Sequence, residues 1–139
     1  MRAKSCLFAA LLLILALAGC KKPASVVGTW KIVGLDRTQT FDPGGTYTVN
    51  DSNRGIDTTV KGTYTLTDKV LTTTDNDIKA SARLAELQHL IPAIQKSDDI
   101  HKGKPQTQLI SWKGDDTFAL FAPDDTAFKN PHGIFVRQK

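Results

Sequence analysis

The chain has 139 residues, with 18 Lys+Arg against 14 Asp+Glu and a formal net charge of +4, and that length supports a single domain. Its 40% hydrophobic and 23% charged residues exclude a disordered chain and a bundle of membrane spans. The surplus charge is local: Arg2, Lys4, Lys21 and Lys22 supply it, and from Pro23 onward 14 basic residues face 14 acidic ones, which argues against nucleic acid as a partner.

Met1-Arg2-Ala3-Lys4 is a short positive region, and Leu7 to Ala18 is a run of twelve residues without a polar side chain. That is the layout of a secretory signal peptide. As a helix the run spans only ~18 Å against a hydrocarbon core of ~30 Å, too short to persist as a transmembrane anchor. Leu17-Ala18-Gly19-Cys20 resembles a bacterial lipobox. The resemblance implies that residues 1–19 are removed, that Cys20 is acylated, and that residues 20–25 form an anchor and short linker. Cys6 then leaves with the leader, so the mature chain is expected to hold no free thiol and no disulfide. Lipoproteins of this kind resemble one another in carrying three acyl chains, and at ~0.8 kcal/mol per buried CH₂ such an anchor is effectively permanent. Lys21 and Lys22 would sit beside the headgroups, each gaining ~1 kcal/mol from an anionic surface. By the sorting rule known for enteric bacteria, Lys21 in place of Asp implies the outer membrane facing the periplasm rather than the inner membrane.

The remainder, residues 26–139, predicts a mainly β domain. Segments rich in Thr, Val, Tyr and Ile fall at 26–34, 38–41, 46–50, 58–66, 69–74, 107–112, 117–122 and 133–138. Alternation is clearest in Val60-Lys61-Gly62-Thr63-Tyr64-Thr65-Leu66, where Val60, Tyr64 and Leu66 share one face. Sixteen Thr after the leader suit the wet face of a pleated sheet. The separators are turn chemistry: Asp42-Pro43-Gly44-Gly45, Thr67-Asp68, Lys113-Gly114-Asp115-Asp116 and Asn130-Pro131-His132-Gly133. Short strands joined by tight turns imply an antiparallel up-and-down barrel or curved meander of about eight strands. Gly28-Thr29-Trp30, Gly45-Thr46-Tyr47 and Gly62-Thr63-Tyr64 recur at a spacing of seventeen, a pattern suited to an aromatic ring lying over a neighbouring glycine.

Residues 76–104 have a different grain and read as a helical insert. Leu84, Leu87, Leu90 or Ile91, and Ile94 stand at helical spacing among good helix formers from Ala80 on. Asp75 or Asp77 is the expected N-cap, Pro92 is expected to end or kink the helix, and residues 97–105 read as a loop.

Gly28-Thr29-Trp30-Lys31, Thr40 to Tyr47, Gly62 to Leu66 and the closing Ile134-Phe135-Val136-Arg137 resemble the strands of lipocalins and of lipocalin-like domains found on bacterial lipoproteins. The resemblance covers residues 26–74 and 107–137. It implies a structural signature of Gly28, Trp30 and Arg137, with Arg137 packed over Trp30 in a cation–π contact of ~0.5–2 kcal/mol. The helix interrupts the meander instead of following it, so a half-open barrel capped by the helix stands beside a closed one.

No catalytic constellation is present. His89, His101 and His132 are not paired at metal-binding spacing. The doublets Asp98-Asp99, Asp115-Asp116 and Asp124-Asp125 sit in turn-like sequence, where solvation rather than acid–base chemistry is expected. There is no GxSxG and no phosphate-cradling glycine loop, and neither cofactor nor metal is expected. What remains is aromatic: Tyr47, Tyr64, Trp112, Phe118 and Phe121 fall on several strands, as lining for a small apolar or amphipathic ligand or as a solid core. Two functions follow: a non-enzymatic, membrane-anchored ligand-binding lipoprotein, or an envelope interaction module that uses the helical insert and its loop to dock a partner protein. Cys20→Ser is expected to release the protein from the membrane fraction to the soluble one, and retention of the variant on membranes would contradict the lipobox reading.

Overall fold

Alternating strands with tight turns satisfy their backbone groups fully only when the first strand meets the last. The computed structural model describes residues 24–139; the leader, Cys20 and the linker up to Pro23 lie outside the described residues. Its strands are β1 (Gly28–Ile32), β2 (Arg37–Phe41), β3 (Thr46–Asn53), β4 (Ile56–Thr67), β5 (Val70–Ala82), β6 (Pro105–Trp112), β7 (Thr117–Phe121) and β8 (Pro131–Arg137). They form a closed antiparallel barrel in sequence order. β1 and β8 close it through Trp30↔Arg137, Lys31↔Val136 and Ile32↔Phe135. The half-open alternative is therefore excluded, and the expected eight-strand meander is present as a barrel.

One end of the barrel is filled with rings. Trp30 and Phe118 are fully buried with centroids 4.6 Å apart, Trp112 lies 6.0 Å from Trp30 and 5.2 Å from Phe118, and Phe135 stacks on Phe118 at 4.6 Å. Such edge and offset pairs are each worth ~0.5–1.5 kcal/mol beyond area burial. The Trp30 indole Nε1 donates to the Val26 carbonyl at 2.6 Å. Outside this plug the Arg137 guanidinium lies 4.2 Å over the Trp30 ring and donates to the carbonyls of Val27 at 2.8 Å and Ser25 at 3.1 Å. It also pairs with Asp116 at 3.2 Å. Gly28, at φ 128°, leaves the space this guanidinium occupies: a Cβ there would stand 2.6 Å from Nη1.

A second glycine positions the interior. Tyr47 on β3, Gly62 on β4 and Asp75 on β5 stand in one cross-strand row. With no side chain between them, the Tyr47 ring crosses over Gly62 and its hydroxyl donates to the Asp75 carboxylate. Beside this row β5 carries a bulge at Asn76, where Lys61 pairs with Asp77 and Gly62 with Asp75. The extra residue changes the parity of the strand. Leu71, Thr73 and Asp75 share a face with Ile78 and Ala80, and an apolar position is kept opposite Val60.

The insert differs from its expected course. Residues 76–82 continue β5, paired to β4 as far as Ile56↔Ala82, so Asp75 and Asp77 are strand residues rather than helix caps and the insert starts at Arg83. Helix-forming Ala80, Ser81 and Ala82 yield here to a ladder offered by the long β4, a case of pairing overriding propensity. A 3-10 turn at Ala85–Leu90 leads into the helix α1, Ile91–Asp99. Pro92 falls in the first turn of α1, where its missing N–H costs nothing and its fixed φ suits the helix. It starts the helix that it was expected to end, and Ser97 to Asp99 belong to that helix, not to the loop.

Because a Cβ on Gly62 would meet the Thr74 carbonyl and stand 2.7 Å from Tyr47 Cε1, Gly62→Ala is expected to cost about 1–3 kcal/mol by overpacking. Gly44→Ala, with no atom within 4 Å, should stay within about 0.5 kcal/mol of the parent. Urea unfolding midpoints check the contrast.

Candidate functional site

Beyond the aromatic plug the inward positions change character. Gln39, Val49, Val60 and Ile78 form one cross-strand row, and Arg37, Asp51, Thr58 and Ala80 form the next toward the opposite end. The smaller and polar side chains leave a cavity of about 190 Å³. Ile32, Val49, Val60, Leu120 and Phe135 give it apolar lining. Interleaved with them round the barrel, Gln39, Tyr47, Thr73, Asp75, Gln106 and Gln108 supply polar groups, and Arg37 and His132 are also on the lining. A wider mouth of about 380 Å³ shares Arg37, Val49, Val60, Asp75 and Gln106 with the cavity and adds Ile78, Ile94, Asp98 and His101.

The insert covers this mouth. Ile91, Ile94 and Asp98 are the half-buried positions of α1, spaced three and four residues apart on one face. No residue of α1 or of the preceding turn is fully buried. Two backbone bonds tie the insert to the barrel, Arg83 N–H to the Gly55 carbonyl at 2.8 Å and Gly103 N–H to the Asp75 carbonyl at 2.7 Å. A cover held so lightly is the kind of segment that opens locally at small cost.

Among the described residues three groups are pushed away from their ordinary values. The Tyr47 phenol is pushed well up, first by burial and then by its hydrogen bond to Asp75 and the charge of that carboxylate. Burial also raises Tyr64, with the Asp42 charge adding to it. The Asp98 carboxyl is raised by burial; His101 opposes the shift, while Asp75 and Asp99 reinforce it.

Of the aromatics expected to line a pocket, Tyr47 lines the cavity. Trp112 and Phe118 belong to the plug at the closed end. Tyr64 packs edge-on against Phe41 at 4.9 Å and donates to the Asp42 carbonyl at 2.8 Å, facing an outer hollow formed with residues 24–27. Phe121 is buried against Phe128 at 5.1 Å, outside the main core cluster. The polar lining carries no local mark in the sequence, because Gln and Arg look like wet-face residues. The usable signal was parity: Phe41, Gln39 and Arg37 share one face of β2, and Trp112, Ile110, Gln108 and Gln106 share one face of β6.

Among the described residues no group of three or more His, Cys, Asp or Glu could hold a metal ion, and no helix is long and apolar enough to cross a membrane. No family model and no curated protein matches the sequence.

The raised Tyr47 carries a pH dependence of known sign. A phenol whose folded pKa exceeds the unfolded value of about 10 contributes stability that is complete below that value and is lost as pH rises above it. Folding stability is therefore expected to fall above about pH 10, and Tyr47→Phe should flatten that slope. With two tyrosines in the chain, tyrosinate absorbance of the variant reports Tyr64 alone. An unchanged alkaline slope would contradict the assignment.

Proposed function

We propose that the protein is a bacterial envelope lipoprotein, tethered through Cys20, whose lipocalin-like barrel binds a small amphipathic ligand and performs no catalysis. One observation carries this reading: the cavity is lined by apolar and polar side chains together and runs into a mouth near Arg37 and Asp75. A barrel needed only as a scaffold would fill these inward positions with branched apolar side chains, as its closed end does. The polar side chains on the lining favour an amphipathic ligand over a wholly apolar one, since burying them against hydrocarbon alone would leave them without hydrogen-bond partners.

The path of the chain fits the tether. Residues 25 and 27 are clasped by Arg137 at the plugged end. The four residue steps from Cys20 to Ala24 reach at most about 14 Å. A lipid on Cys20 therefore holds the plugged end near the bilayer and turns the mouth away from it.

A second reading, an envelope interaction module, has in its favour the exposed Leu84, Leu90 and Ile100 of the insert, which are 50%, 38% and 60% exposed. Calorimetric titration of the unlipidated mature chain, residues 21–139, with octanol separates the two. Saturable one-site binding is expected, and Val60→Trp, which places a large ring in the cavity, should abolish it while the far-ultraviolet spectrum stays that of the parent. Absence of saturable binding by the parent chain would refute the ligand reading.

A further inference from the structure

The outer wall of the barrel is uneven. Since successive residues of a strand alternate between its faces, the buried Tyr47 and Val49 of β3 and the inward Val60 and Gly62 of β4 identify the outward positions. On both strands every one of these is Thr, Asn, Ser, Asp or Lys. At the seam the outward positions are apolar. Ile134 and Val136 alternate with the buried Phe135 on β8, and Val33 follows β1 with its N–H bonded to the Ile134 carbonyl at 2.9 Å. Leu35 stands in the turn beyond, and Ala119 of β7 pairs with Ile134 from the other side. Val33, Leu35, Ile134 and Val136 are between 38% and 59% exposed, and they are half of the exposed large apolar side chains among the described residues. Lys31, paired with Val136, is the one Lys, Arg, Asp or Glu on the outward face of β7, β8 and β1.

A contiguous apolar patch left in water is the mark of an interaction surface, and the tether restricts what meets it. The four residue steps from Cys20 to Ala24, at most about 14 Å, hold the plugged end at the bilayer, so the outer wall faces along the membrane plane. Every other copy on that membrane presents the same patch at the same height. A two-fold axis along the membrane normal brings patch to patch while both anchors stay in one bilayer and both mouths point away from it. With that axis beside β8, Ile134 and Val136 meet the partner's Ile134 and the partner's Val136. β1 then lies against the partner's β7, whose outward positions carry no charge, so the two copies of Lys31 are kept apart.

We propose that the outward face of β7, β8 and β1 is a homodimer interface between two copies of this chain anchored in the same membrane. This rests on the tether through Cys20 proposed above and is independent of what the barrel binds. The patch supplies far fewer than the ~20 residues a side of a stable solution dimer. Confinement to a membrane makes up the difference, because it raises the effective concentration of copies already held in a matching orientation.

The test is disulfide cross-linking of the full chain in cell membranes, where a single introduced cysteine is the expected free thiol. Ile134→Cys, oxidised with copper phenanthroline, is expected to give a product of twice the chain mass. Lys61→Cys, on the outward face of β4 across the barrel, should give at least about fivefold less. Adding Ile134→Glu to a Val136→Cys reporter should lower the dimer yield by at least about fivefold. If Ile134→Cys does not accumulate, Val136→Cys alone carries the comparison with Lys61→Cys. Equal yields at the seam and at position 61, or no dimer from either seam position, overturn the interface. A seam product of any other mass, a different protein covering the patch, overturns it as well. Fractionation separates the two readings: a soluble parent chain refutes the tether, whereas a membrane-bound chain without the seam cross-link refutes the interface alone.

Discussion

A sheet of eight strands becomes a barrel only if its two free edges are brought into register, and here that seam is short. β1 and β8 meet over three residue pairs, and the Arg137 side chain extends the join beyond them. From β8 it reaches two carbonyls of the segment before β1, lies over the first-strand Trp30, and pairs with Asp116 ahead of β7. The backbone follows the same path, with Arg137 N–H bonded to the Asp116 carbonyl and Gln138 N–H to Thr29. One side chain thus fastens the segment before β1, the last strand and the β6–β7 turn, and the glycine at position 28 leaves the space in which it lies.

Closure at that end frees the other. With Trp30, Trp112, Phe118 and Phe135 packed at the plug, stability does not require large apolar residues at Gln39, Thr73, Gln106 and Gln108. Those positions keep polar groups around open volume instead. The Tyr47–Gly62–Asp75 row marks the boundary. Its aromatic ring still belongs to the core cluster, while its hydroxyl and carboxylate belong to the polar lining.

Much of the architecture could be read from the chain. The eight strand segments and the turns at Asp42–Gly45, Thr67–Asp68 and Lys113–Asp116 follow from Thr-rich alternation punctuated by Pro, Gly and Asp, because those signals act locally, whereas Pro131-His132-Gly133, expected in a turn, open β8. The insert departs from its expected course for reasons that are not local. The bulge at Asn76 breaks the period-two pattern where β5 continues, and the lysine and alanines beyond it favour a helix until β4 supplies a pairing edge. Pro92 signals a break in a helix interior but a start in the first turn, and its place in α1 is the first turn. The site was least legible. Counting aromatics identifies hydrophobic mass, and most of that mass packed solid. An inward-facing Gln differs from an outward-facing one only in parity, which matters once closure has turned one face of the sheet into an interior.

The insert also has a role at the sheet edge. β5 pairs with β6 only as far as Thr74↔Pro105, so residues 75–82 run on past their neighbour with one edge of the ladder unclaimed. Bare strand edges recruit other chains into shared sheets. Helix α1 packs beside that overhang, and Gly103 N–H takes the Asp75 carbonyl on it. The segment at the mouth of the barrel therefore also lies along the strand edge most open to pairing with another chain. Displacing α1 would bare the cavity and that edge together, so in this fold access to the interior and exposure of a pairing edge are coupled.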